Sequence, residues 1–103
     1  MSNLVCSGYE VITVGDTVMP LTDTKITPAT GQFANQMAET IIMTLETDAM
    51  RYSLNSGITV SATVGTPMAV GDTLQLSNRT FRSFTAHRVT NDAKLHVHYF
   101  HAV

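Results

Sequence analysis

The stretch Lys94-Leu95-His96-Val97-His98-Tyr99 decides how this chain is read. Leu95, Val97 and Tyr99 alternate with Lys94, His96 and His98, a period of two. Successive side chains leave opposite sides of a strand, so this pattern predicts one dry face and one wet face. The same period recurs upstream. Its clearest case is Ile58, Val60, Ala62 and Val64 alternating with Thr59, Ser61 and Thr63. Ile41, Met43 and Leu45 alternate with Ile42, Thr44 and Glu46. Met50, Tyr52 and Leu54 alternate with Arg51 and Ser53, and Leu74 and Leu76 with Thr73, Gln75 and Ser77. Tyr9–Val14 is a β-rich run that stops at a turn.

Turn signals punctuate these runs: Gly15-Asp16, Thr27-Pro28, Asn55-Ser56-Gly57, Gly65-Thr66-Pro67, Gly71-Asp72, Ser77-Asn78 and Asn91-Asp92. They use residues that tolerate left-handed backbone or pre-set φ. The spacings leave no room for crossover helices, so a parallel sheet is excluded. The expectation is an all-β, compact antiparallel β-sandwich, one domain over residues 1–103, with at most one short helical turn. That turn falls around residues 31–38, where Phe33, Met37 and Ile41 are spaced four apart and Thr30 stands at a capping position. The β-branched run Thr40–Thr44 then predicts a strand over about 39–47.

Three details are less regular. Phe81 and Phe84 are three apart, which puts them on opposite sides of a plain strand. Either a β-bulge at Arg82-Ser83 turns both inward, or Phe81 is exposed and packs on another chain. Val-Gly-Asp-Thr occurs at 14–17 and again at 70–73, read as one turn chemistry used twice. Met1–Val5 and Val18–Gln32 have mixed polarity and poor periodicity. They predict arms or loops that touch neighbours, with residues 1–7 as an N-terminal arm.

Composition narrows the function. Charged residues make up 14% of the 103 residues, and the net charge is −2. Soluble chains typically carry ~25% charged residues. Threonine and serine, 16 and 7 residues, take the place of the missing charge. Six scattered basic residues give no electrostatic footprint for nucleic acid. No apolar run is long enough for a membrane helix, and no signal peptide is visible at Met1–Cys6. The single Cys6 cannot close an internal disulfide and is read as a small buried apolar residue near the start of the first strand. A wet surface of Thr, Ser, Gln and Asn can be covered by another protein at small desolvation cost. The six Met residues add adaptable contacts. The composition therefore predicts an oligomer or assembly component.

Candidate chemistry is sparse. Four histidines, His87, His96, His98 and His101, lie in the last 17 residues. His96 and His98 share a strand face, His87 could join them from a neighbouring strand, and His101 should point the other way. No carboxylate or Cys stands at ligand spacing, so rings packed at an edge or interface are preferred over a metal site. There is no Gly-x-Ser-x-Gly elbow, no paired acids beyond Glu46 and Asp48 flanking a turn, and no phosphate loop. No enzyme activity, catalytic residue, metal or cofactor is expected. The candidate subunit-contact residues are His96, His98, Phe81 and Arg82. An Arg beside two aromatics suits a contact patch.

Certain residues in this order resemble a known group. They are Cys6-Ser7-Gly8-Tyr9-Glu10-Val11-Ile12-Thr13-Val14, Leu21-Thr22 leading to Pro28-Ala29, and Thr44-Leu45-Glu46-Thr47 with Met50-Arg51-Tyr52-Ser53-Leu54. Val64-Gly65, Gly71-Asp72-Thr73-Leu74, Phe84 and Ala93-Lys94-Leu95-His96-Val97-His98-Tyr99-Phe100 complete the set. Nearly the whole chain resembles small virion structural proteins of tailed bacteriophages, of the head decoration (cement) type. It departs from them at Asn55–Ser61, where a turn richer in Asp and Pro is usual. The resemblance implies a jelly-roll-like sandwich, made in the host cytoplasm and carried on the virion's capsid surface. It also implies a homo-oligomer, with a trimer favoured, and the major capsid protein as partner, with no nucleic acid and no membrane. A neck or tail adaptor ring is the alternative. A glycan-binding module is disfavoured, because Trp is absent and Tyr numbers three.

Overall fold

The computed structural model describes residues 3–77 and 79–103. Met1 and Ser2 of the expected arm, and Asn78 of the expected Ser77-Asn78 turn, lie outside the described residues. In chain order the elements are β1 (Leu4–Val14), β2 (Met19–Pro20), α1 (Asp23–Ile26), β3 (Thr40–Glu46) and β4 (Met50–Ser53). There follow β5 (Thr66–Met68), β6 (Thr73–Ser77), a 3-10 turn (Thr80–Ser83), β7 (Thr85–Arg88) and β8 (Ala93–Ala102).

The strands form two four-stranded sheets, ordered β1-β8-β3-β6 and β2-β7-β4-β5, and every ladder is antiparallel. The expected all-β antiparallel sandwich is therefore present. Strand pairing is nested: first with eighth, second with seventh, third with sixth, fourth with fifth. A long antiparallel ribbon folded back across two layers produces this order. Alternation along the strands fills the space between the layers. Ile12, Val14, Ile41, Met43, Leu45, Leu76, Leu95, Val97 and Tyr99 come from the first sheet. Met50, Met68 and Ala86 from the second join Phe81 and Phe84. Leu21, Ile26 and Ala38, from the segments between strands, join the same core. Each fully buried aliphatic or aromatic side chain contributes roughly 1.5–3 kcal/mol.

Several expectations need correction. The clearest alternating stretch, residues 58–64, is not a strand. Ile58 and Val64 are exposed and only Val60 is buried. The Ser61 hydroxyl accepts the backbone N–H groups of Thr63 and Val64, and the Ser61 N–H bonds to the Val64 carbonyl. Arg51 donates to the carbonyls of Ala62 and Gly65, so the segment is tied into a loop and not laddered. Gly65 sits at φ +124°, where a Cβ would lie 3.0 Å from the Tyr52 carbonyl oxygen.

The helical turn is at Asp23–Ile26, not at 31–38. Gly31 and Asn35 both have positive φ, which a right-handed helix does not tolerate. Residues 32–35 make a turn closed by the Asn35 N–H on the Pro28 carbonyl. Thr22 caps α1 by position only, because its hydroxyl donates to Glu10. Phe81 and Phe84 are both buried, but through a 3-10 turn instead of a bulge. Three residues per turn bring positions three apart onto one side. The two Val-Gly-Asp-Thr segments differ: Gly71 has positive φ, and Gly15 is not among the positive-φ glycines. Residues 4–7, expected as part of an arm, continue β1 against β8. The Val18–Gln32 stretch supplies Leu21 and Ile26 to the core.

Candidate interaction surface

β8 lies between β1 and β3. Its alternation sends Leu95, Val97, Tyr99 and His101 inward, and Lys94, His96, His98 and Phe100 to the outer side. Register then lines up rungs across that outer face. Tyr9, His98, Ile42 and Gln75 form one, and Val11, His96, Thr44 and Thr73 the next. Cys6, Phe100, Thr40 and Ser77 lie on one side of them, and Thr13, Lys94 and Glu46 on the other. The only charged residues in these four rungs are Lys94 and Glu46, both at one end.

His96 is bonded at both ring nitrogens. Its Nε2–H donates to Glu46 Oε1 at 2.9 Å, and the Tyr9 hydroxyl donates to Nδ1 at 2.5 Å. These two bonds fit the neutral ring with its proton on Nε2. The His96 hydrogen bond, the charge that ring carries whenever it is protonated, and Lys94 hold the Glu46 carboxyl below its ordinary value. The Tyr9 ring also leans on His98, with centroids 4.8 Å apart and a 44° tilt. The result is a flat aromatic cluster on a nearly uncharged sheet. Such a surface would lose little hydration if covered.

The structure brings His96 and His98 together, but Phe81 and Arg82 do not join them. Phe81 is 1% exposed within the protein's own core, so it offers no surface to a neighbour. Arg82 is exposed beside a shallow depression formed with Asp23, Thr27 and Met37. His87 stands on β7 in the other sheet, where Nδ1–H donates to the Arg88 carbonyl at 2.6 Å and Nε2 lies 3.6 Å from Asp16. It does not join His96 and His98. His101 does point the other way. It is buried, hydrogen-bonded through Nδ1 to the Ser7 hydroxyl, and donates from Nε2 to the carbonyls of Ile26 and Gln36 at 3.0 Å each. Phe33 stacks on its ring at 5.0 Å. Cys6 is exposed, not buried, because it lies on the outer face one residue before the register shift at Cys6/Gly8.

Sequence reasoning missed Tyr9 and Glu46 as partners of His96. They lie 87 and 50 residues from it in the chain and meet it only through the β1–β8 and β3–β8 registers. It also missed the clamp of His101 on the 26–36 segment. Among the described residues, no three of His, Cys, Asp and Glu gather as a metal-ligand group, and no helix is long and apolar enough to cross a membrane. No protein-family model, curated protein or solved structure matches this chain.

Proposed function

We propose that this chain is a bacteriophage virion structural protein, a capsid decoration (cement) protein that binds across capsomer junctions as a homo-oligomer, with a trimer favoured. The observation that carries the reading is the outer face of the β1-β8-β3-β6 sheet, broad, aromatic at its centre and charged only at one end. The nested strand order supports it as well, since eight strands in two sheets ordered this way are jelly-roll-like, an architecture used by capsid domains. Lectin domains share that architecture, so the order alone does not choose between them.

The mechanism is adhesion. Packaged DNA pushes capsomers apart, and a protein seated over their junctions adds buried area that must be exposed before they separate. A standard interface buries ~1,600 Å² in total. Each copy can bind weakly, because attachment at several points raises effective concentration. The major capsid protein is the partner in this reading, and the virion surface is the location.

The test is to purify particles with and without this protein, count copies per particle and heat them. Hundreds of copies, and earlier DNA loss from particles that lack the protein, are expected. About a dozen copies at one vertex would favour a neck or tail ring, since heterologous contacts close into rings of low copy number. Absence from particles would overturn both.

A further inference from the structure

Three of the four sheet edges are blunt. β2 is two residues long and ends in Pro20, β5 is three residues with Pro67 in its middle, and β6 has five residues. Proline removes a backbone donor, and a short edge offers few bonds to an added strand. β1 is different. It runs 11 residues with no proline, lysine or arginine. Its register is continuous from Gly8 to Val14. Among the described residues, the only strand it pairs with is β8, and no backbone bond from a loop reaches it. Four of its apolar side chains, Leu4, Val5, Tyr9 and Val11, are 42–47% exposed.

We propose that β1 is a self-pairing edge: β1 of one copy adds antiparallel to β1 of a second copy and joins two four-stranded sheets into one of eight. The proposal rests on the homo-oligomer reading but replaces the favoured trimer with a two-fold pair, because an isologous contact closes at two copies. An identical copy is the occupant for two reasons. An antiparallel pair about a two-fold axis places the unpaired donors of one strand opposite the acceptors of the other, so the edge is complementary to itself. Charge agrees, because the single charged residue of β1, Glu10, is already bonded to Tyr99 and Thr22. Self-pairing therefore brings no free like charges of the strand itself together. Length sets the strength: eleven extended residues span ~37 Å, and a strip of that length and ~10 Å depth covers roughly 370 Å² per partner, under half of a standard interface, so the pair is a weak one that forms at high concentration.

The test is sedimentation of the purified chain over a concentration series, for the wild type and for Leu4→Lys, Val11→Lys and Val70→Lys. Val70 is exposed but lies off β1, so it serves as the control. Dimers are expected, weakened at least about tenfold by each β1 lysine and unchanged by Val70→Lys. An oligomer, trimeric or other, that ignores both β1 lysines would overturn the edge contact and leave the homo-oligomer reading standing. A wild type that stays monomeric at hundreds of micromolar would overturn both. If the lysine variants do not fold, hydrogen exchange on the wild type decides. Amides of β1 must gain protection with concentration while those of β6 do not, and equal behaviour of the two edges would sink the proposal.

Discussion

Tyr99, wholly buried on β8, donates its hydroxyl hydrogen to the carboxylate of Glu10 on β1, and Thr22 donates to the other carboxylate oxygen at 2.8 Å. One acidic side chain thereby ties two strands of one sheet to the segment just before α1. Burial and the neighbouring Glu10 carboxylate push the Tyr99 hydroxyl well above its ordinary titration range.

Stability should therefore depend on pH at the alkaline end. In the unfolded chain Tyr99 ionises near pH ~10, while in the folded protein it stays protonated. The folded state then binds the extra proton, so its advantage is complete below pH ~10 and is lost as pH rises beyond it. Tyr99→Phe should lower stability by about 1–3 kcal/mol, since it leaves a half-buried carboxylate short of one donor. It should also flatten the alkaline limb. Denaturant unfolding of both proteins from neutral pH to pH ~11 measures this, and parallel curves would show that Tyr99 does not supply the dependence.

Glu46 gives the opposite sign at the acid end. Its carboxyl is held low by the hydrogen bond from His96, so the bond supports the fold above the ordinary carboxylate value and is lost as pH falls through the folded one. The group is on the surface, so the effect on stability is small. Carbon-detected NMR titration should show the Glu46 midpoint rising toward 4.5 in His96→Ala and staying low in His98→Ala, since His98 touches Tyr9 and not Glu46.

Phe81 and Arg82 are neighbours in sequence with opposite fates. Phe81→Ala should cost ~3–5 kcal/mol, the usual result of emptying a full aromatic site in a core. Arg82→Ala should change stability by less than ~0.5 kcal/mol, as an exposed substitution away from caps and ion pairs does. Thermal or chemical melts of the two variants check this. A mild Phe81→Ala would mean that the 3-10 turn does not anchor the core.

These cases also show what the sequence makes legible. A period of two in β3, β6 and β8 is a local property and could be read directly, because each strand pairs along its full length and buries one side. The pattern at 58–64 was as regular, yet no strand took it up. Alternation states which residues could share a face, and only a partner supplies the ladder. Here Arg51 and Ser61 satisfy the backbone locally. The Phe81–Phe84 spacing was read on a strand period, and the backbone answered with a period of three. Sites assembled by register, such as Tyr9, His96 and Glu46, carry no local signal, since each residue is ordinary until the strands are aligned.

His101 is where a single substitution should loosen a whole segment. Its ring receives Phe33 on one face, meets Ser7 at Nδ1 and holds the carbonyls of Ile26 and Gln36 at Nε2. The segment between those carbonyls has no strand and only the last residue of α1, so few other bonds hold it. His101→Phe keeps a flat ring for Phe33 but removes both polar ends. The two carbonyls then lose a shared donor, at a cost of about 1–3 kcal/mol. Loosening should be local before it is global, because residues 27–37 can open while β1, β8 and β3 stay paired. Hydrogen exchange should quicken at the amides of Asn35 and Ala38, which bond to Pro28 and Ile26, and stay slow at the β3–β8 ladder. Uniform quickening across both regions would instead make His101 an ordinary core residue.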